Sequence, residues 1–369
     1  TGLGGQNGDI YVYDSITWNA NTTLTLTAVR DIDINQSITA FGQNAGLILN
    51  PGSSGVVRMT AGQNDSTSAI VMNGSNSILN INGTLNVQPH DAHNVTATLT
   101  SLSLNGITVG GLTADTIGPG VGTLKLTGNL EISGTSNQSM SANVALQNSG
   151  VNASTIVFNN PMAPINVSGV ISGKGNITVS SGSQVTLSNL NSYSGKTRIS
   201  GGTLELGVSG SLGSGDVVMS TDMINYPRLK TNSDITFSNN FVLNADSTFL
   251  IGEYTTATIS GLISGVGGLN YNSSVNFNGH DNAIPSLVLT NQNTYTGATV
   301  IYPYVALKLE GNGSISNSEY IYNAGAFHIS GITGSETSIK NLYGNGAYLG
   351  DKNLIFTEAG NNTTFNGTG

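Results

Sequence analysis

Tyrosine residues stand in pairs, two positions apart, at three places in this 369-residue chain. In a β-strand that spacing puts both rings on one face, where they form a flat platform that can stack against a sugar ring. Neighbouring Asn and Asp side chains would then bond the sugar hydroxyls. The alternative is that the rings pack against a loop or stack between layers of strands. The candidate ligand contacts are Tyr11 with Tyr13, and a preferred patch of Tyr302, Tyr304, Tyr320 and Tyr322.

Carboxylates are sparse and do not form the pattern of a polysaccharide-cleaving enzyme. Such enzymes bring two or three carboxylates close together at the bond that they break. Asp31 and Asp33 share one strand face and come nearest to a pair, but no second carboxylate cluster follows them. The stretch NGHD at 278–281 is not followed by the basic residues that catalysis would need. We therefore predict that the chain is not an enzyme.

No metal or cofactor site is expected either. The chain contains no Cys, which excludes disulfides and thiolate metal ligands. His90 and His93 have a spacing that could hold a metal if they shared a helical turn with a third ligand. Pro89 precedes them and nothing predicts a helix there, so we interpret the segment as a polar loop.

The composition favours strands over helices. Only 8% of the residues are charged, against roughly 25% in an average soluble domain, so Asn, Ser, Thr and Gly must supply the surface polarity. These residues suit turns and strand faces, and no segment shows a convincing helical apolar repeat. The net charge of −9 argues against nucleic acid or an anionic membrane as a partner. No apolar run is long enough to span a membrane.

One short stretch indicates how successive strands are arranged. Residues 23–35 read TLTLTAVRDIDIN, two runs in which apolar and polar residues alternate. This alternation is typical of strands that bury one face. Val29 and Arg30 lie between the runs, without the Asn-Gly or Gly-Gly pair of a tight hairpin. The pattern predicts a bend between two faces of one solenoid turn.

Two longer stretches share one motif. The first, SGVISGKGNITVSSGSQVTLSNLNSYSGKTRISGGTLELG, occupies 168–207, and its counterpart at 260–311 carries an insertion at 276–286. In stacked repeats each short strand finds backbone partners in the turns above and below. We predict an all-β fold, a right-handed parallel β-helix forming one continuous elongated rod over 1–369, with protruding loops. A β-sandwich array or a propeller is the alternative.

The repeats divide the predicted β-helix into units. Three similar phrases, TIVFNN, DITFSNN and NLIFTEAGNN, open successive copies. The first unit spans 155–233, the second spans 234–352 with the insertion, and the start of a third spans 353–369. The abundant Asn is interpreted as side-chain ladders that run along the bends from turn to turn.

The pattern SGxISGxG, LTxxNxYSGxT and GGTLELG at 168–207, repeated at 260–311, resembles the passenger-associated transport repeat. That repeat occurs in autotransporter passengers and in two-partner-secreted exoproteins. Residues 8–39 are similar to exoproteins of the filamentous-haemagglutinin and high-molecular-weight adhesin type. The resemblance implies export across a Gram-negative outer membrane through an outer-membrane transporter, and hence a secreted or cell-surface location. Neither a secretion domain nor a membrane barrel is recognisable, and two-partner secretion is the favoured route.

The resemblance implies an adhesive role. We expect a non-catalytic segment of a large bacterial adhesin, a monomeric fragment without membrane insertion. Its expected partners are a host-cell surface glycan or protein, or biofilm polysaccharide. Loops 86–95 and 276–286 would set specificity, because loops on a rigid scaffold vary most freely. The alternatives are the stalk of a contact-dependent toxin-delivery exoprotein and a polysaccharide-degrading β-helix.

Overall fold

The computed structural model contains two compact units, Thr1–Gly195 and Lys196–Gly369. Every regular element with assigned bounds is a β-strand, and every strand pair is parallel. The unit boundary falls inside the 155–233 repeat predicted from the sequence. The structure describes residues 8–53, 55–60, 70–72, 78–82, 84–88, 98–99, 102–105, 107–110, 123–126, 129–133, 137–140, 143–146, 150, 153–207, 211–222, 224–274 and 284–358.

The first unit is built from short strands that recur face by face. The strands are β1 Ile10–Val12, β2 Ile16–Trp18, β3 Thr23–Thr27, β4 Ile32–Ile34, β5 Ile38–Ala40, β6 Gly46–Asn50, β7 Val56–Thr60, β8 Ile70–Met72, β9 Ile78–Asn82, β10 Thr84–Gln88, β11 Thr98–Leu99, β12 Leu102–Asn105, β13 Ile107–Gly110, β14 Thr123–Leu126, β15 Asn129–Ser133, β16 Gln138–Met140, β17 Asn143–Leu146, β18 Thr155–Asn159, β19 Ile165–Val167, β20 Ile171–Gly173, β21 Asn176–Val179 and β22 Gln184–Leu187. Three ladders, β1-β4-β7-β10, β2-β5-β8-β11 and β3-β6-β9-β12, place every third strand side by side. Each turn of chain therefore contributes one strand to each of three faces.

The alternation in residues 23–35 is explained by this arrangement. β3 pairs with β6, whereas β4 pairs with β1 and β7, so the two apolar runs lie in different sheets. Val29 is exposed at the bend, while Ile32 and Ile34 are fully buried. The predicted bend between two faces of one turn is confirmed. The parallel ladders also confirm the β-helix, since sandwiches and propellers pair their strands antiparallel.

The second unit repeats the same architecture. Its strands are β23 Thr197–Ser200, β24 Thr203–Leu206, β25 Val217–Ser220, β26 Arg228–Thr231, β27 Ile235–Phe237, β28 Phe241–Leu243, β29 Ser247–Ile251, β30 Thr256–Ile259, β31 Ile263–Gly265, β32 Leu269–Ser273, β33 Ser286–Leu289, β34 Thr299–Ile301, β35 Ala306–Gly311, β36 Ile321–Asn323, β37 Ala326–Ile332, β38 Glu336–Ile339, β39 Leu342–Gly344, β40 Ala347–Tyr348 and β41 Asn353–Phe356. The ladders are β23-β25-β28-β31, β24-β26-β29-β32-β34-β36-β39, β27-β30-β33-β35-β37-β40 and β38-β41.

The core of each unit consists of inward side chains stacked in register from turn to turn. In the first unit Val144 and Ile171 are register partners, and both are fully buried. In the second unit Phe241 and Ile263 are register partners, and both are fully buried. Burial of these columns removes apolar area from water at about 25 cal/mol per Å², which offsets much of the ordering cost of the short strands.

The two proposed specificity loops are described only in part. In 86–95, residues 86–88 belong to β10, and the remainder, including His90 and His93, lies outside the described residues. In 276–286, only Ile284 to Ser286 are described, and Ser286 begins β33. The stretch 278–281 lies outside the described residues, as do 359–369 of the predicted third unit.

The shared motif contains an asparagine whose side chain joins neighbouring turns of the solenoid. In the second unit the Asn293 side-chain oxygen accepts a hydrogen bond from the Ile263 backbone N–H at 2.9 Å. Its amide nitrogen donates to the backbone oxygens of Asn291 at 3.0 Å and Ser314 at 3.2 Å. One buried side chain thereby bonds three backbone groups. We call Asn293 the asparagine clamp of the second unit.

The first unit contains the same clamp at the matching position. The side-chain oxygen of Asn191 accepts from the Ile171 N–H at 2.7 Å, and its amide nitrogen donates to the Asn189 carbonyl at 3.0 Å. The repeated Asn thus bonds backbone groups of the solenoid, an outcome that differs from the amide-to-amide ladder expected of these positions. A hydrogen bond to a backbone group stabilises the fold more at this buried site than at the surface, because the local dielectric constant is low.

Replacing Asn293 by alanine should destabilise the second unit by about 2–3 kcal/mol. The substitution leaves the buried Ile263 N–H without its acceptor, and an unpaired buried group costs about 1–3 kcal/mol, with the lost donor bonds in addition. Hydrogen exchange of peptides covering 260–300 reports the loss. Asn270→Ala, on an outward strand position whose side chain makes no hydrogen bond among the described residues, is the matched control and should change exchange little. Equal effects of the two substitutions would show that the asparagine clamp contributes no more to stability than an outward-facing asparagine.

Candidate functional site

The first tyrosine pair lies on the outer surface of the first unit. Tyr11 in β1 and Tyr13 just after it are 44% and 67% exposed. Their rings are nearly parallel, at 4°, with centroids 5.6 Å apart. The Tyr11 hydroxyl donates to a carboxylate oxygen of Asp9 at 3.3 Å. The predicted shared face is therefore present, and the two rings form one small platform.

A network of ions lies beside this platform. Arg30 donates to both oxygens of Asp9, from Nε at 2.9 Å and from Nη2 at 2.6 Å. Arg58 bonds Asp31 at 2.9 Å and Asp33 at 3.4 Å. Arg58 is distant in sequence from Asp31 and Asp33, so the local sequence pattern did not predict these ion pairs. They neutralise the two carboxylates that came nearest to a catalytic pair.

The ionisation of Asp9 should affect stability at acidic pH. The hydrogen bond from Arg30, followed by that from the Asp31 backbone N–H, holds the pKa of Asp9 below its ordinary value of 3.8. A carboxyl with a lowered pKa in the folded state stabilises the protein above that ordinary value, and the contribution is lost as pH falls through the lower, folded value. The same carboxylate raises the pKa of the Tyr11 hydroxyl by its negative charge.

The expected result is a pH-dependent difference between the natural protein and the Asp9→Asn variant. Their unfolding free energies should differ by a constant amount from pH 5 to 7, and the difference should shrink below about pH 4. Urea unfolding followed by circular dichroism at several pH values measures it, with Asp14→Asn as the exposed control. A difference that is the same at pH 3 and pH 7 would contradict the assigned ion pair.

The second unit carries a larger aromatic surface. We call it the tyrosine face and define it as Tyr302, Tyr304, Tyr320, Tyr322 and Tyr343. Tyr322 and Tyr343 are register partners on β36 and β39, and both are exposed. The Tyr320 ring meets the Tyr343 ring edge to face at 5.8 Å. Tyr302 directly follows β34, the strand that pairs with β36 on the side away from β39.

The structure therefore brings the four predicted tyrosines to neighbouring turns and adds a fifth. Tyr320 differs from the others because it is only half exposed, which follows from its contact with Tyr343. Sequence reasoning missed Tyr343, since it has no tyrosine two positions away. The available signal was its distance of 21 residues from Tyr322, which is one turn of this solenoid.

One ring of the tyrosine face is held in an unusual backbone conformation. Tyr304 has φ of +64° and Tyr254 has φ of +60°, and these are the described non-glycine residues with positive φ. Such a conformation costs a bulky residue about 1–3 kcal/mol. Both tyrosines are exposed, and each occupies the corner after a strand of the same ladder, β29 or β34. In that ladder β32 lies between β29 and β34, and the 276–286 insertion follows β32 in the sequence.

A second aromatic contact lies on the adjacent sheet. The rings of His328 and Tyr348 are parallel within 10°, with centroids 4.4 Å apart. Burial, and then the charge of Lys308, lower the pKa of His328. The neutral imidazole is favoured, which suits stacking. In the described part of the chain no three His, Asp or Glu residues converge as metal ligands would.

Comparison with known proteins identifies no relative. Family models, curated proteins and solved structures each gave no match. No helix among the described residues is long and apolar enough to cross a membrane. The fold and the site together define the class, a parallel β-helix protein with exposed tyrosines on its outer surface.

Proposed function

We propose that this chain is a non-catalytic segment of a large secreted or surface-held bacterial adhesin. In this proposal it attaches to host-cell glycans or proteins, or to the polysaccharide of a biofilm, after export through an outer-membrane transporter. The observation that carries the proposal is the tyrosine face. Exposed aromatic rings are expensive to leave in water, so a cluster of them on a regular scaffold supports a contact surface.

The strain at Tyr304 adds to this support. Gly or Asn would occupy a positive-φ corner at little cost, yet the chain carries an exposed tyrosine there. An exposed tyrosine held in a strained conformation supports a role in recognition. Tyrosine suits recognition because its ring is rigid and apolar and its hydroxyl can hydrogen-bond.

The scaffold supports attachment by many weak contacts. A single tyrosine ring stacked on a sugar buries little area, so one such contact alone gives weak binding. Several such contacts on one molecule act at high effective concentration once the first has formed. The carboxylates Asp31 and Asp33 are bonded to Arg58, which supports binding without cleavage of the ligand.

Attachment to intact epithelial cells tests the proposal. Fluorescently labelled protein is expected to bind saturably, to be displaced by unlabelled protein, and to bind less after enzymatic removal of surface glycans. Purified biofilm polysaccharide serves as a second surface. Bovine serum albumin at the same concentration is the control for nonspecific adsorption. Folded protein that binds neither surface above this control would contradict an adhesive role.

A further inference from the structure

A polar cleft of about 620 Å³ opens in the second unit between 311–317 and 332–338. Sites for small ligands usually measure about 300–1,000 Å³, so the cleft has room for several sugar units. It lies close to the tyrosine face along the chain. Tyr320 lies three positions after Asn317, and Tyr343 lies five positions after Ser338.

The cleft opens because two consecutive turns separate on one of the three faces. The turns stay bonded at both ends of the gap, from Thr333 N–H to the Gly311 oxygen at 2.8 Å and from Ile321 N–H to the Asn341 oxygen at 2.9 Å. Between these bonds β38 pairs with β41 alone. The ladder of β35 and β37 shifts register between Lys308 and Glu310 just before the gap. Such a bulge bends a strand and redirects the residues after it.

One edge of β38 is left free to bind a ligand. The Ser335 and Ile339 carbonyls accept hydrogen bonds from Asn353 and Thr357, which lie on the β41 side. In a parallel ladder alternate residues point their backbone groups in opposite directions. The backbone N–H and C=O of Glu336 and Ser338 therefore point toward the cleft. Among the described residues they have no hydrogen-bond partner.

Six of the hydroxyl and amide side chains that line the cleft make no hydrogen bond among the described residues. This contrasts with the Asn293 clamp, whose amide is fully used at the same wall. The cleft is lined by one charged side chain, Glu336, and by two apolar side chains, Ile332 and Ile355. The lining groups that make no side-chain hydrogen bond in the described chain are Gln292, Thr294, Ser316, Asn317, Thr337 and Ser338.

This lining selects the chemistry of the ligand. Hydroxyls and amides both donate and accept, which matches the many hydroxyl groups of a saccharide. The Glu336 carboxylate and the net charge of −9 disfavour an anionic sugar or a nucleic acid. An extended peptide could pair with β38, but specificity for a peptide comes from side-chain pockets, and the lining here is predominantly polar. We propose that the cleft binds a segment of a neutral saccharide chain. This inference rests on the proposed adhesive function and names its ligand class.

The test uses the full chain and an immobilised panel of neutral tetra- to hexasaccharides, each beside an acidic counterpart carrying sialic or uronic acid. The chain is expected to bind at least one neutral member saturably and its acidic counterpart at least tenfold more weakly. The variant Ser316→Ala with Ser338→Ala removes two lining hydroxyls and should weaken neutral binding by about tenfold. Glu336→Gln should raise binding of the acidic counterpart while leaving neutral binding within about threefold.

The matched control is Thr236→Ala with Thr258→Ala, which removes two outward hydroxyls from strands of another face. It should bind like the natural chain, and circular dichroism and hydrogen exchange verify that every variant is folded. Equal neutral binding by the cleft variant and the natural chain would overturn the inference. Attachment to cells without binding of any neutral saccharide would also overturn it, while the adhesive function would stand. A folded chain that binds neither cells nor saccharides would overturn both.

Discussion

Replacing Gly265 by alanine is expected to lower the free energy of unfolding of the second unit by about 3–5 kcal/mol. Gly265 has φ of +109°, a conformation that L side chains rarely adopt. An added Cβ would lie 2.2 Å from the Leu243 carbonyl oxygen and 2.8 Å from its carbon. The obstacle is backbone, and β28 is held there by its ladder partners β25 and β31. The turns would have to separate to make room.

Urea unfolding and hydrogen exchange of peptides covering 241–265 measure this effect. The control is Gly334→Ala, where the nearest atom would lie at an ordinary contact distance of 3.4 Å. Its stability should change by less than about 1 kcal/mol. The first unit offers a parallel test, because Gly173 has φ of +94° and a Cβ there would lie 2.1 Å from the Leu146 oxygen. A small loss at Gly265 would mean that neighbouring turns are less closely stacked than described.

Replacing Tyr304 by glycine is expected to change stability and attachment in opposite directions. Glycine adopts φ of +64° without strain, so the free energy of unfolding should rise by about 1 kcal/mol or more. Attachment to cells should weaken by about fivefold, because one ring of the tyrosine face is lost. Adding Tyr302→Ala should bring the total loss of attachment to tenfold or more.

Three further variants separate recognition from structure. Tyr254→Gly relieves the same strain at the corner that follows β29, two turns away and outside the tyrosine face, and it should raise stability while leaving attachment nearly unchanged. Tyr322→Phe keeps the ring and should retain most of the binding, whereas Tyr322→Ala should lose it. Thermal unfolding and cell attachment are measured on each variant. If Tyr304→Gly stabilises the protein and attaches as well as the natural chain, the tyrosine face is not the contact surface.

Much of the fold could be predicted from the sequence because its determinants are local. Apolar alternation over 23–35 predicted two faces of a turn, and the structure places β3 and β4 in different sheets. The matching motifs at 168–207 and 260–311 predicted stacked repeats. The same motif did not indicate which of its residues are buried. Tyr295 is fully buried, with its hydroxyl bonded to Thr299 at 2.6 Å, although sequence alone gave no reason to separate it from the exposed tyrosines.

The candidate site could be predicted only where the two-residue spacing of a strand places two side chains on the same face. Tyr320 and Tyr322 were expected together from their two-residue spacing. Tyr343 joins them through the length of a turn, and that length is known only once the register is known. The positive φ of Tyr304 and the bonding of Asp31 to Arg58 also depend on contacts between turns. The polar cleft could not be predicted at all, because it arises from a bulge and a gap between strands, and neither of these has a local sequence pattern.

The most direct test of the adhesive role is binding of the 369-residue chain to a broad glycan array and to intact epithelial cells, with the Tyr302→Ala, Tyr304→Ala double variant beside it. We expect saturable binding to at least one of these surfaces, reduced at least tenfold in a double variant that circular dichroism shows to be folded. Folded natural protein that binds neither surface, or a double variant that binds as well as the natural chain, would contradict it.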